Sequence, residues 1–177
     1  MPKALVAMDC RLLVDRGVDV LRAGGCDPVV VVLGAEAEAV QQQAELADCV
    51  VVVNADWDTG MASSLRAGLT AAASLSVDAV AVLLVDTPGI ISAAVARVLT
   101  RPAAADVQSV LAAATYDGAL GHPVLLGRSH WSGVAEMAFG ETGARPYLLA
   151  HDAALMLVPC EDIANGRDVD SPRGATR

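Results

Sequence analysis

The sequence predicts an α/β fold: three layers, with a mostly parallel sheet covered by helices on both faces. Three observations carry this. Short continuous apolar runs recur, such as Val29–Leu33, Cys49–Val53 and Asp78–Val85, and such runs suit strands buried on both faces. Segments of helical length lie between them, and strand–helix–strand repetition favours parallel pairing through crossover helices. Finally, the chain is 54% hydrophobic but only 3% aromatic, so its core is built from small aliphatic side chains that let helices pack closely on a sheet.

Taken in order, Leu12 to Ala23 has helical spacing and stops at Gly24-Gly25, a helix-ending signal. Val29–Leu33 is the first strand, Glu36 to Ala47 a helix, and Cys49–Val53 a second strand closing at Asn54. Met61 to Leu75 is helical, Asp78–Val85 is the third strand, and Ile90 to Leu99 is a helix stopped near Pro102. Val107 to Tyr116 and His122 to Leu126 read as strands around a turn at Asp117-Gly118. Ser129 to Phe139 reads as a helix and Ala154 to Val158 as a last core strand. Residues 1–172 form one domain, and 173–177 a frayed tail. There is no internal repeat, linker or low-complexity segment.

The 177 residues carry a net charge of −9. Nucleic-acid backbone requires clustered cations, so nucleic acid is not an expected partner. Lys3 is the single lysine beside eleven arginines, and a bound polyphosphate would need neutralising by a metal ion or a few chosen cations. Cys10, Cys26, Cys49 and Cys160 form no C-x-x-C pair; three of them border apolar runs and read as small core residues, rather than zinc or redox ligands. Neither a signal peptide nor an apolar run of the ~18 residues needed for a membrane span is visible. The expectation is a cytoplasmic, reduced protein without a membrane partner.

In open α/β sheets ligands bind beyond the carboxyl ends of the strands. There the third strand delivers Asp86, followed by Thr87-Pro88-Gly89. An ionised carboxylate at the end of a buried strand needs compensation. Mg²⁺ would supply it, since it prefers carboxylate oxygen and keeps positions open for substrate phosphates. The competing reading is that Asp86 or Thr87 caps the following helix. Asp-Thr-Pro-Gly also occurs on the metal side of P-loop GTPases. That class is excluded, because the only lysine lies outside any G-x-x-x-x-G-K-[ST] motif. The loop from Asn54 to Arg66 contains Gly60, which permits close approach. Ser63 and Ser64 open a helix whose first N–H groups are expected to face outward as an anion or base-edge site. Trp57 either stacks on a flat ring or covers the end of the core.

The segments Pro2-Lys3-Ala4-Leu5, Gly60-Met61-Ala62-Ser63-Ser64-Leu65-Arg66-Ala67-Gly68-Leu69, Val85-Asp86-Thr87-Pro88, Gly121-His122-Pro123 and Asp168-Val169-Asp170-Ser171-Pro172 occur in this order. Together they resemble the MobA-like nucleotidyltransferases, in particular the molybdenum cofactor cytidylyltransferase-like branch. The likeness covers nearly the whole chain. It implies a Rossmann-like, nucleotide-diphospho-sugar-transferase-like fold and Mg²⁺-dependent transfer of CMP or GMP from CTP or GTP. The acceptor implied is the phosphate of molybdopterin or its molybdenum form, with pyrophosphate released and a molybdoenzyme as a further partner. By motif match, Lys3 and Asp86 are catalytic, Asp86 holds Mg²⁺, and Asp168 or Asp170 adds a second carboxylate. Lys3, Ser63, Ser64 and Arg66 lie along the nucleotide. Gly121 and His122 face the acceptor; apart from the motifs, Trp57 is a candidate substrate contact from its place in a polar loop, and Tyr116 and Asp117 are candidates for the acceptor loop.

The family's glycine-rich loop, L-A-A-G-x-[SG]-x-R-M-G-x-P-K, is represented only by its end at Met1-Pro2-Lys3. Its strand is the first of the family's sheet, and a sheet without it is expected to leave edges unpaired and prone to self-association. Two accounts follow: a start further upstream, or a degenerate homologue that binds nucleotide or molybdenum cofactor without catalysis. Either way the 177-residue chain is expected to be poorly active.

Overall fold

The computed structural model describes residues 1–100 and 106–169. The expected tail at 173–177 lies outside them.

A hairpin absent from the sequence reading opens the fold: β1 (Ala7–Met8) pairs antiparallel with β2 (Arg11–Leu12). Strands this short have no readable periodicity. The turn residues Asp9 and Cys10 both have positive φ, 52° and 63°. A two-residue turn of this kind favours glycine, because a side chain at positive φ is crowded by its own backbone. Cys10→Gly is therefore expected to raise unfolding free energy by about 0.5–1 kcal/mol. Denaturant titration checks this, and a less stable variant would contradict it.

Helix α1 (Leu13–Ala23) ends at Gly24 as expected. A Cβ on Gly24 would collide with Val95, so this glycine sets how closely α1 packs on α4 (Ser92–Thr100). Strands β3 (Val30–Leu33) and β4 (Val50–Val53) pair in parallel, joined across α2 (Ala37–Gln43). Helix α2 is shorter than the expected Glu36–Ala47. At Ala44 the backbone becomes extended, Leu46 turns into the core, and the Glu45 N–H donates to the buried Asp15 carboxylate at 2.8 Å. Tertiary contacts there override local helical spacing.

After α3 (Met61–Ala73) comes β5 (Ala79–Val82), only part of the expected Asp78–Val85. Beyond β5 the carbonyls find side-chain partners: Thr87 Oγ1 donates to Leu84 O at 2.8 Å. Then follow β6 (Leu111–Tyr116), β7 (Ala119–Gly127), α5 (Trp131–Met137), α6 (Arg145–Ala150) and β8 (Met156–Pro159). Helix α6 was not foreseen. The others match the sequence reading in kind but shift at their ends. The run at Val107, expected as strand, begins with a 3₁₀ turn at Val107–Ser109.

The larger sheet has the order β5-β7-β6-β8. Its pairings are mixed: β5/β7 and β6/β7 are antiparallel, and β6/β8 is parallel. The β6–β7 connection is the two-residue turn Asp117-Gly118, both at positive φ, and so tight a turn can join only antiparallel strands. Alternate residues of β6 face opposite layers. Leu111 and Ala113 pack with Leu69 and Ala72 of α3, Trp131 and Val134 of α5, and Tyr147 of α6. Ala112 and Ala114 pack with Ala94 and Val98 of α4. A separate cluster joins Val14 and Val18 of α1 to Leu33 of β3 and Val40 of α2. Helices thus cover both faces, as the three-layer expectation requires.

The β3/β4 pair and the four-stranded sheet are separate. Among the described residues β3 pairs only with β4, and β5 only with β7. Each has one edge without a strand partner. Val30, Val31 and Val32 of β3 and all of β5 are only partly buried, although their apolar runs read as strands buried on both faces.

Candidate functional site

Asp86 follows β5 at its carboxyl end. The Lys3 Nζ donates to Asp86 Oδ2 at 2.6 Å, and the Asp86 side chain is 17% exposed. The 3₁₀ turn at Lys3–Leu5 presents the lysine. The capping alternative does not hold: helix α4 starts only at Ser92, Thr87 bonds backwards to Leu84, and the Asp86 carboxylate is turned to Lys3. Asp86 is a carboxylate compensated by a cation.

A late segment of the chain lies against this loop. The Asn165 N–H donates to Gly89 O at 3.2 Å and the Val169 N–H to Asp86 O at 2.8 Å. The Asn165 carboxamide packs into the space a Cβ on Gly89 would take, so a side chain there would displace it. This register sets Asp168 beside the Asp86 loop. Asp170 lies outside the described residues.

His122, on β7, completes the cluster. Its Nδ1 lies 3.1 Å from Val82 O and donates to it, which leaves Nε2 for another partner. Burial pushes the imidazole pKa down, partly offset by the Val82 carbonyl and by the nearby Asp86 and Asp168 carboxylates. The unfolded chain therefore holds more protons than the folded one below about pH 6.5. Stability is retained above that pH and lost as pH falls through it towards the lowered folded value. Thermal unfolding from pH 7.5 to 5.5 is expected to fall more steeply for the wild type than for His122→Gln; parallel curves would contradict this.

Tyr116 supports the same turn. Its hydroxyl donates to His122 O at 2.8 Å, and burial pushes its pKa up to about 12. Gly121 and Gly166 both lie against its ring, where a Cβ on either would clash. Gly121 thus serves the packing of Tyr116, a need that the motif match did not reveal.

The Asn54–Arg66 loop forms a second cluster. Asn54, missed as a site residue, is buried and fully used. Its Nδ2 donates to Ser63 Oγ at 2.8 Å and Ser64 Oγ at 3.1 Å, and its Oδ1 accepts from the Asp56 N–H at 3.1 Å. The signal for it was the polar residue ending a run of valines, the same pattern that marks Asp86. Ser63 Oγ is within 2.9 Å of Asp56 O and 2.8 Å of Gly60 O, so its hydroxyl serves the loop. Arg66 Nη1 donates to Ala138 O at 2.8 Å. Asn54, Asp56, Thr59, Ser63, Arg66, Ala67 and Thr70 line an open cavity of about 390 Å³. Trp57 is 48% exposed and rests on Gly34; it does not cover the core.

One expectation needs correction. The first N–H groups of α3 are not open to an anion: Met61 N donates to the Glu141 carboxylate at 3.3 Å, Ala62 N to Gly140 O and Ser63 N to Gly60 O. Binding at this end falls to side chains.

The structure therefore brings together Lys3, Asp86, Asp168 and His122, and separately Ser63, Ser64 and Arg66 around Asn54. Among the described residues there is no cluster of three or more His, Cys, Asp or Glu suited to a metal ion. A closed structural metal site does not fit. The Asp86 carboxylate, with Asp168 on the neighbouring segment, has the oxygen chemistry that a hard divalent cation prefers.

The family described as "MobA-like NTP transferase domain" matches residues 1–154. The chain belongs to this family. A relative over 173 residues, 35% identical and spanning 96% of this chain and 84% of its own, is a "Nicotine blue oxidoreductase" from Paenarthrobacter nicotinovorans. Among solved structures, Rv0371c from Mycobacterium tuberculosis in complex with manganese has a TM-score of 0.79 at 23% identity, covering 97% of this chain and 87% of that one. A nucleotidyl transferase from Methanothermobacter has a TM-score of 0.74 at 20% identity, covering 89% and 74%. The MobA-like chain thus shares its α/β fold with a nucleotidyl transferase and with a protein crystallised with manganese. No helix among its described residues is long and apolar enough to cross a membrane.

Proposed function

We propose that this MobA-like chain is a Mg²⁺-dependent nucleotidyltransferase that moves CMP or GMP from CTP or GTP to the phosphate of a molybdopterin-type acceptor. The observation that carries this is the Lys3–Asp86 pair at 2.6 Å, set at the end of a strand beside Asp168 and His122. An acceptor phosphate oxygen attacks the α-phosphorus, the bond to the β,γ-diphosphate breaks, and pyrophosphate leaves. Phosphoryl-type transfer needs positioning and charge neutralisation more than covalent catalysis. Bound Mg²⁺, held by Asp86 with Asp168 or Asp170, would neutralise the triphosphate and its departing charge. Lys3 adds a positive charge where negative charge builds. Ser64 and Arg66 hold the nucleotide. His122 and Trp57 face the acceptor, with Tyr116 holding the backbone at His122. The product would pass to a molybdoenzyme in the cytoplasm.

Two other readings have support. The relative from Paenarthrobacter favours an oxidoreductase sharing this fold, and a non-catalytic nucleotide- or cofactor-binding protein would use the same clusters. One assay separates all three. The protein is incubated with Mg²⁺, CTP or GTP and molybdopterin, and pyrophosphate is measured. Pyrophosphate formation dependent on acceptor supports transfer. Nucleotide binding without it supports the binding protein. Redox turnover of nicotine blue, the compound in that relative's name, and no pyrophosphate, supports the oxidoreductase.

A further inference from the structure

We propose that Asn54 is a positioning residue for the nucleotide, fixing Ser64 so that its hydroxyl proton is free to donate to a nucleotide oxygen. This rests on the nucleotide reading above. Asn54 is bound at its backbone N–H and at both ends of its carboxamide: its N–H to Leu33 O at 2.8 Å, its Oδ1 to the Asp56 N–H, and its Nδ2 to both serine hydroxyls. The Asp56 N–H fixes which end of the carboxamide is oxygen, so Nδ2 must face the serines as donor. Both serine oxygens are therefore acceptors on that side, and each keeps one proton to donate elsewhere. Ser63 directs its proton into the loop at Asp56 O and Gly60 O. Ser64 is partly exposed and has no acceptor for its proton among the described residues.

The surroundings leave this hydroxyl as a principal donor at the amino end of α3. The first backbone N–H groups there are already bonded to Glu141, Gly140 and Gly60. Arg66, two positions along α3, is tethered through Nη1 to Ala138 O. A ligand oxygen arriving at the amino end of α3 thus meets one preset hydroxyl. The Asn54 carboxamide is already bonded within the protein at both Oδ1 and Nδ2, so it acts through Ser64.

Polarity reversal tests this. In Asn54→Asp one carboxylate oxygen still accepts from Asp56 N–H. The other can only accept, so both serine hydroxyls turn towards it and the Ser64 proton is withdrawn. Mg²⁺-dependent binding of CTP and GTP is measured calorimetrically for wild type, Asn54→Asp, Ser64→Ala and the double variant. Asn54→Asp is expected to weaken binding about tenfold in the wild type, the scale of one hydrogen bond to a charged group. In the Ser64→Ala background the loss should be about twofold or less, because contacting residues couple. Equal losses in both backgrounds would mean charge repulsion alone and would overturn the proposal. A wild type that binds neither nucleotide would overturn the nucleotide reading and this inference with it. If Asn54→Asp does not unfold cooperatively, the Asn54 side-chain NH₂ resonances of the wild type are followed instead. They are expected to shift on saturation with nucleotide and to stop shifting in Ser64→Ala; resonances unmoved in the wild type would overturn the proposal.

Discussion

Asp86→Asn is expected to lower nucleotidyl transfer by at least about 100-fold, the scale of losing one preorganised electrostatic group at a reacting centre. The fold should barely respond. The Lys3–Asp86 pair is partly exposed, with the lysine side chain 39% accessible, and such pairs contribute under about 1 kcal/mol. Asparagine keeps the shape and can still accept from Lys3 Nζ. It lacks the charge that a divalent cation requires. Turnover measured beside denaturant unfolding separates the two effects. A variant with near-normal turnover would remove Asp86 from the chemistry, and a variant that unfolds readily would make it a structural residue.

Gly60→Ala is expected to cost about 3 kcal/mol of stability, combining backbone strain with overpacking. Gly60 has φ 110° and ψ 172°, a region occupied almost solely by glycine. A Cβ there would sit 2.6 Å from the carbonyl carbon and oxygen of Gly140. That backbone cannot yield cheaply, because Gly140 O accepts from Ala62 N at 2.9 Å. The change also strikes the Asn54–Ser63–Ser64 cluster, since Gly60 O lies 2.8 Å from Ser63 Oγ. Equilibrium unfolding reads the loss. A cost below about 1 kcal/mol would show that the loop relaxes around the methyl group.

Much of the fold was legible because its elements obey simple periodicities. The valine runs at β3 and β4 and the helix ending at Gly24 appeared where expected. Besides helix α6, four features were not legible. The β1–β2 hairpin is only two residues a side, and its Asp9-Cys10 turn lacks the usual glycine. Helix α2 was cut short by a contact with Asp15, 30 positions away. The partial exposure of β3 and β5 depends on which strands lie beside them, and an apolar run cannot report that. The mixed pairing of the larger sheet follows from one tight turn that joins β6 to β7.

The candidate site divides in the same way. Lys3 and Asp86 were readable as a lone lysine and a carboxylate ending a strand, and the structure brings them into contact. That Asp168 returns beside Asp86 depended on the family resemblance, since 82 positions separate them and the segments meet through backbone bonds from the Asn165 and Val169 N–H groups to Gly89 O and Asp86 O. Asn54 went unrecognised because its role lies in orienting Ser63 and Ser64, and hydroxyl direction leaves no mark in a sequence. The open helix end expected before Ser63 was closed by Glu141, a residue 80 positions away from Met61.

The central claim is that Asp86 and Lys3 form a cation-dependent nucleotide site. Its most direct test is calorimetric titration of CTP and GTP into the wild-type chain with and without Mg²⁺, repeated with Asp86→Asn. Saturable binding that requires Mg²⁺ and disappears in Asp86→Asn is the predicted result. Binding that is indifferent to Mg²⁺, or unchanged in Asp86→Asn, would contradict it.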